Sequence, residues 1–273
     1  MTSATDCNRF LKILWDHYDA HNRTLPWRVP NNEGEFDPYH ILVSELMLQQ
    51  TQVSRVIPKY QAFLSTFPSV TSLAGASLGD VLALWSGLGY NRRAGYLHVA
   101  AGVITKQWRG TIPADTQLLQ SLPGVGHNTA AAIVTYAFNQ PTYFIETNVR
   151  TVYLHHFFAD KNDVTDDEIL IHLQATLDQK HPREFYWALM DYGSHLKSTV
   201  GNQNKRSKHY AKQSRFQGSR RQVRGRVLKQ LLNGPASLQE LDVLIRDERL
   251  SSVLEDLTKE KLVIKSSNQW HLP

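Results

Sequence analysis

Apolar positions recur at the spacing of a helix face along nearly the whole chain. Phe10, Leu11, Leu14, Trp15 and Tyr18 share one stripe and predict an amphipathic first helix. Residues 23–38 break that pattern with Pro26, Pro30, Asn31, Asn32 and Gly34, and read as a loop. Helices are predicted over 39–51, over 53–67 with Pro68 as the stop, over 77–84, and over 94–108, which Gly110 and Pro113 close. Residues 115–121 and 127–138 predict two helices on either side of a short turn. Thr165 with Glu168 forms a capping box that opens a helix to residue 179, and 185–196 follows as another helix. Strand-like alternation is almost absent before residue 260.

The composition shifts near Ser198. Asn202, Gln203 and Asn204 begin a polar loop, and a second compact segment follows. Helices are predicted over 223–232, ended by Gly234 and Pro235, over 238–245, capped by Ser237 and Glu240, and over 250–259. Residues 262–272 read as a β-hairpin turning at Ser266, Ser267 and Asn268. Three helices followed by a hairpin is the winged-helix order. Charge reinforces the division. The formal net charge is only +5, yet no Asp or Glu occurs from Tyr192 to Gln239, a stretch that holds Lys197, Lys205, Arg206, Lys208, Lys212, Arg215 and a further run of arginines to Lys229. Tyr210 and Phe216 interrupt the block, which favours a surface facing a polyanion over a solvated tail.

Cys7 is the only cysteine, which excludes an intrachain disulfide and any four-cysteine metal site. The start, Met-Thr-Ser-Ala-Thr-Asp-Cys, lacks the basic and apolar regions of a secretory leader, and no apolar run reaches the roughly 18 residues of a membrane span. A cytoplasmic, nucleoid-associated location in a bacterium is the expectation.

The turn between the paired helices is Leu122-Pro123-Gly124-Val125-Gly126. Its glycines permit positive φ and let a phosphate approach bare backbone N–H groups. Glu146 follows in Phe-Ile-Glu-Thr-Asn-Val-Arg. A second carboxylate, Glu45, sits in an otherwise apolar helix beside Leu42 and Leu46, where apolar surroundings raise a carboxyl pKa. A non-specific DNA grip beside one proton donor and one anion is what cutting a base from its sugar requires.

These motifs resemble the helix-hairpin-helix DNA glycosylase superfamily, whose signature is the hairpin, then a proline (here Pro141), then an acid. Leu25-Pro26-Trp27-Arg28, residues 44–52, Gly87-Leu88-Gly89-Tyr90, residues 122–126 and Ala188-Leu189-Met190-Asp191-Tyr192-Gly193 narrow the resemblance to its MutY branch of mismatch adenine glycosylases, over about residues 8–196. The resemblance implies an all-α, two-lobed helix-hairpin-helix fold, here with a small C-terminal winged-helix-like domain. Residues 30–140 form a six-helix lobe with the hairpin, 1–29 plus 141–198 a second lobe, 199–219 a basic loop and 220–273 the winged-helix-like domain.

It further implies that Glu45 is the catalytic acid, that Glu146 stands where relatives carry Asp, and that Asn148 helps position the catalytic water. Arg23, Leu25, Trp27 and Arg28 match the rim and floor of an extruded-base pocket, with Trp187 at a position that reads the base. Gln49 matches a side chain that wedges into the stack. Gln50, Tyr90, Asn91, Leu122, Gly124, Val125, Gly126, His127 and Asn128 complete the DNA contacts, joined by Lys205, Arg206 and Lys208 of the basic loop. The carbonyls of Gln120, Leu122 and Val125 match a monovalent-cation site. Bifunctional relatives carry a nucleophilic lysine at the position of Asn128, so a hydrolytic, monofunctional enzyme is expected, acting as a monomer on mispaired double-stranded DNA.

The chain departs from the pattern in several places. Relatives hold a four-cysteine iron–sulfur cluster beginning at the position of Lys197, and no cysteine follows here, so no cofactor is expected. A second Tyr after Tyr90 is replaced by Asn91, and a polar base-reading residue by Trp187. The excised base therefore stays open between adenine opposite 8-oxoguanine or guanine, and thymine or uracil opposite guanine or 8-oxoguanine. Glu146 in place of Asp also admits a non-catalytic mismatch-binding protein. A winged-helix transcription factor accounts only for 220–273 and leaves both glutamates unexplained.

Overall fold

The computed structural model describes residues 4–273, so the first three residues of the lobe predicted over 1–29 lie outside the described residues. The chain is mostly helical. Its helices are α1 (Ala4–His21), α2 (Pro38–Leu48), α3 (Val53–Thr66), α4 (Val70–Ala74), α5 (Leu78–Trp85), α6 (Arg92–Gln107) and α7 (Thr116–Gln120). They continue as α8 (His127–Phe138), α9 (Thr147–Phe157), α10 (Asp166–Thr176), α11 (Pro182–Thr199), α12 (Arg220–Leu231), α13 (Leu238–Ile245) and α14 (Leu250–Lys259). Short 3₁₀ turns occupy Pro26–Arg28 and Gln203–Arg206. Three strands, β1 (Ala236–Ser237), β2 (Ile264–Ser266) and β3 (Gln269–His271), pair antiparallel in the order β1-β3-β2. Among the described residues, no helix is long and apolar enough to cross a membrane.

Most predicted helices occur with ends shifted by a few residues. Three elements escaped the sequence pattern. α4 is a five-residue helix, too short for a period to show. β1 is two residues long and pairs Ala236 with Trp270. The third, α9, is the most consequential. Its sequence, TNVRTVYLHHF, is rich in β-branched residues and histidine, and Val149, Thr151, Val152, Tyr153 and Leu154 are all buried. A helix covered on several sides shows no polar face, so periodicity misses it.

The chain folds into two compact units whose boundaries differ from the predicted lobes. One comprises residues 1–41, 114–117 and 126–212; the other comprises 42–113, 118–125 and 213–273. α8 thus belongs with α9–α11, the basic loop is divided at residue 212, and the C-terminal segment clusters with α3–α6.

In the first unit, α9 is the central element, packed by α1, α10 and α11. Phe10 of α1 meets Tyr153 with ring centroids 5.4 Å apart, and Phe144 stacks on Tyr186 at 3.9 Å. The segment after α11 lies against α9. Buried Asn204 donates to the Thr147 carbonyl (3.2 Å) and the Thr151 hydroxyl (2.6 Å). Arg206 donates to the carbonyls of Leu154, Phe158 and Ala159, closing the C-terminus of α9.

In the second unit, α12, β1, α13, α14 and the β2–β3 hairpin have the winged-helix order expected from sequence. This segment is fastened to the helices before it. Glu260 accepts from both Arg92 and Arg224, and the Gly79 N–H donates to the Pro273 carbonyl at 3.3 Å. Leu262 packs against Gly95, where an added Cβ would lie 3.1 Å from its Cδ2.

The packing of α9 on α11 depends on Gly193. A Cβ there would sit 2.6 Å from the Asn148 carbonyl oxygen and 2.8 Å from the Asn148 Cβ, closer than real contacts allow. Gly193→Ala is expected to lower stability by about 1–3 kcal/mol, the usual cost of overpacking, read as a reduced urea midpoint. A midpoint equal to the parent's would show that the two helices part without cost.

Candidate active site and DNA-facing loops

Glu146 is the N-cap of α9. Its backbone is extended and its Oε1 accepts from the Asn148 N–H (3.3 Å) and from Asn148 Nδ2 (3.1 Å). Burial pushes its carboxyl above the ordinary glutamate range, opposed by those two donors and by the charges of Arg150 and Arg23. The helix N-terminus favours the anion as well. The result is a half-buried carboxylate of fixed orientation at the head of a helix. Asn148 is placed to hold this carboxylate, which extends the water-positioning role read from sequence. Asn128 Nδ2 donates to the Ile145 carbonyl at 2.9 Å, fixing the residue before Glu146. Its amide is thus partly engaged within the protein, while the residue itself is exposed.

The same unit gathers Arg23, Leu25, Trp27, Arg28 and Trp187 around a buried anion, Asp191. Arg28 grips it with two bonds of 2.8 and 2.9 Å, and Arg23 contributes its Nε (2.6 Å) and backbone N–H (2.9 Å). These donors hold the Asp191 carboxyl below its ordinary range against the effect of burial. Both arginines are thus committed to Asp191 and shape the local floor from behind, while Leu25 and Trp27 are buried. Trp187 is only 8% exposed, stacks on Tyr136 (6.2 Å between centroids, 18° between planes), meets Phe36 edge-on at 5.4 Å and carries the Arg28 guanidinium at 5.2 Å. Its ring fills an aromatic layer, which favours a packing role over reading a base.

In the second unit, Glu45 is the one residue of 41–47 that is not buried, in the middle of α2. The end of that helix is organised by Arg93, a residue that sequence reasoning missed. Its side chain is nearly inaccessible and lies near the rings of Trp85 (5.3 Å) and Tyr90 (5.5 Å). Nη1 donates to the carbonyls of Leu46 (2.8 Å), Met47 (2.9 Å) and Gln49 (2.5 Å), and Nη2 to the Thr51 hydroxyl (3.0 Å) and the Gly89 carbonyl (2.9 Å). Desolvation pushes its pKa down to about 10, so it remains charged at neutral pH. An arginine on the solvent side of a helix start is the usual expectation for this sequence; only its spacing from Gly89-Tyr90 hinted otherwise.

Arg93 joins two loops, and Gln49 adds the hairpin by donating to the Gly124 carbonyl at 3.3 Å. The loops bend through left-handed backbone at Gln50 (φ 57°), Gly89 (φ 76°), Tyr90 (φ 48°) and Gly124 (φ 78°). Gly124 also lacks room for a side chain, since a Cβ would lie 2.8 Å from the Tyr96 ring. Gly126 has open space around it, and with exposed His127 opens α8. The side chains of Leu122 and Val125 are core (2% and 4% exposed), consistent with hairpin contacts made through backbone groups. The Leu122 carbonyl also accepts the Val125 N–H at 3.2 Å. Asn91 caps α6 without a side-chain bond.

The basic block divides. Lys205 and Lys208 are exposed, as a phosphate contact requires. Arg206 is not available for that role, because its guanidinium is spent on α9 carbonyls and Gln203. Arg220 and Arg224 pair with Asp256 and Glu260. A groove of about 1040 Å³ between α1, α9 and α10 is lined by Arg9, Phe10, His155, His156, His172 and Tyr192, and excludes Glu146.

A glycine hairpin that opens a helix, followed by an N-capping acid on the next helix, defines the helix-hairpin-helix base-excision class. Residues 43–178 match the family model for HhH-GPD superfamily base excision DNA repair proteins. The adenine DNA glycosylase of Mycolicibacterium smegmatis is 34% identical over 274 residues, 89% of this chain and 90% of that one. That of Buchnera aphidicola subsp. Baizongia pistaciae is 33% identical over 183 residues, 67% of this chain but 50% of its own length. A thermostable thymine-DNA glycosylase shares the fold, with a TM-score of 0.61 at 22% identity over 70% of this chain and 87% of that one. The chain belongs to the adenine DNA glycosylase family of the HhH-GPD superfamily, DNA N-glycosylases of base excision repair.

Arg93→Met keeps bulk but strips donors from the carbonyls of Leu46, Met47, Gln49 and Gly89. Stability is expected to fall by about 3 kcal/mol or more, measured by urea unfolding, with duplex affinity falling in parallel. Unchanged stability would remove Arg93 from its organising role.

Proposed function

We propose that this chain hydrolyses the N-glycosidic bond of adenine mispaired with guanine or 8-oxoguanine in duplex DNA, leaving an abasic site. The observation that carries this reading is the half-buried, helix-capping carboxylate of Glu146, held by Asn148 within a chain of this family. The target nucleotide leaves the stack, at a cost of a few kcal/mol that pocket contacts and stacking offset. Glu45 protonates the departing base. Glu146 stabilises the cationic sugar as the bond lengthens, and its position at the head of α9 lets the helix dipole share in fixing it. Water adds to the sugar carbon, and its proton goes to a carboxylate.

Hairpin N–H groups and the start of α8 take a phosphate. The carbonyls of Gln120, Leu122 and Val125 are neutral oxygen donors, which suit a monovalent cation. Asn128 offers no amine and no lysine lies between residues 107 and 160, so no Schiff base forms and release is hydrolytic. The residues present do not fit the relatives' iron–sulfur cluster: Cys7 is the only cysteine, is buried in α1, and Lys197 stands at the first ligand position. One chain carries both carboxylates, so a monomer suffices. Adenine is favoured over thymine because the relative matching 89% of the chain is an adenine enzyme, and because Trp187 fills core.

Glu45→Gln should slow base release by at least about 100-fold with duplex binding retained. Near-parental release by this variant would sink the assignment of Glu45. Single-turnover competition between adenine and thymine, each opposite guanine and 8-oxoguanine, should release adenine; preferential thymine release would overturn the substrate.

Glu146 gives a prediction in pH. It acts as the anion, so the rate should climb as pH rises through its elevated pKa, with an acid limb above the ordinary glutamate range. Stability runs the other way: a carboxyl whose folded pKa is raised costs stability as pH rises through that value. Glu146→Gln should therefore abolish release yet raise Tm at pH 7, with the gain vanishing below about pH 4. A variant that keeps its rate, or loses Tm at pH 7, contradicts the role.

A further inference from the structure

A cluster of titratable rings between α1 and α11 takes no part in the chemistry of base release. His17 sits at its centre. Its ring centroid lies 5.1 Å from that of His21, one turn on in α1, and 4.9 Å from those of His195 and Tyr192 on α11. The Tyr192 hydroxyl extends the cluster to α9, where it meets His156 Nε2 at 3.0 Å. His21 and His195 are exposed, whereas His17 is half-buried and its Nδ1 is buried with no hydrogen-bond partner. A neutral imidazole with its proton on Nε2 leaves only an unbonded acceptor at that point. An imidazolium puts an N–H without an acceptor there, and a charge against two further histidines. Burial, then His195 and His21, accordingly push the His17 pKa below the ordinary histidine value.

The surrounding charges decide where a proton on His17 would pull. Asp191 of α11 is the anion acting on His17. It is already gripped by Arg23 and Arg28, and Tyr18 of α1 lies within reach of its charge. On α9, His156 feels His155 and Arg9, and α10 adds Glu168 and His172 to the groove that Arg9 and Asp6 line. Protonated His17 therefore competes with Arg23 for Asp191 and is repelled by His21 and His195. Arg23 follows His21 by two residues, so parting the end of α1 from α11 acts directly on the grip around Asp191.

We propose that His17, His21 and His195 form an acid-sensitive latch between α1 and α11, closed while the rings are neutral and loosening the Arg23–Asp191 grip when His17 takes a proton. Its effect on base release rests on the proposed glycosylase activity; the latch itself is read in the protein alone. A histidine whose folded pKa is lowered contributes stability that is complete above its unfolded value of about 6.5 and is lost as pH falls below it. The whole chain is compared with His17→Phe, which keeps a ring but takes no proton, and with His195→Gln, which removes one repelling neighbour. Between about pH 7.5 and about pH 5.5, where an imidazole titrates, the parent should lose more Tm than His17→Phe, with His195→Gln in between. Glu146, His155, His156 and His172 are present in all three chains and cancel in the comparison. The Arg23 N–H, which donates to Asp191 Oδ2 at 2.9 Å, supplies the local readout. Corrected for intrinsic rate, its hydrogen-exchange protection should fall by about three- to tenfold across that range in the parent and stay level in His17→Phe. Asp191 is held below the ordinary carboxylate range and stays ionised throughout. Level protection at Arg23 in the parent, or a Tm loss in His17→Phe equal to the parent's, would overturn the latch. Both measurements are made without DNA, so they decide the latch even where base release fails.

Discussion

A single buried cation bonded to uncharged oxygens holds the loop surface together. Arg93 is charged and almost inaccessible, and it donates to the Thr51 hydroxyl and to backbone carbonyls, three of them at the end of α2. Those carbonyls form the negative end of a helix dipole, so the arrangement has an electrostatic reason as well as a hydrogen-bonding one. The geometry is exacting. A guanidinium with donors in a fixed plane can satisfy the end of α2 and the Gly89 turn only if both are in one register. Gln49, Tyr90 and Gly124 inherit their placement from that register, and Glu45 lies one turn back on the same helix. The cost of desolvating Arg93 is offset by the hydrogen bonds it makes to these oxygens.

The first unit solves a similar problem with small size instead of charge. Gly193 lets α11 approach the Asn148 backbone, Asn148 bonds Glu146, and Asn128 secures the residue before it. The carboxylate is thus set by three groups. Asp191 with Arg23 and Arg28 adds rigidity nearby. Raising the pKa of Glu146 and lowering that of Asp191 in one unit follows from donors: two N–H groups of one neutral residue serve the first, two guanidinium groups the second.

The sequence made the helical class, the hairpin, both glutamates and the three helices of the C-terminal segment legible, because each has a local signature: a period, a cap, a glycine turn or a charge out of place. What stayed hidden needs knowledge of neighbours. α9 lacks a polar face because it is surrounded, so its pattern resembles a buried strand as much as a helix. Arg93 looks like a surface residue until the carbonyls it meets are known. Trp187 and Arg206 were assigned to ligands because an isolated ring or cation looks available, and packing commits them to Phe36 and Tyr136 in one case and to helix-end carbonyls in the other. Resemblance located the Gly193 motif; only the 2.6 Å approach explains it.

The clasp of Arg206 and Asn204 on α9 has a bearing on motion. α9 is capped at its head by Glu146 and at its tail by Arg206, and Asn204 bridges its first two turns from outside. Head and tail are therefore parts of one cooperative opening unit, in which fraying at either end removes order from the other. Amide hydrogens along α9 and in residues 203–208 are therefore expected to exchange together, so that the loop carrying the exposed Lys205 and Lys208 shares its lifetime with the helix that Glu146 caps.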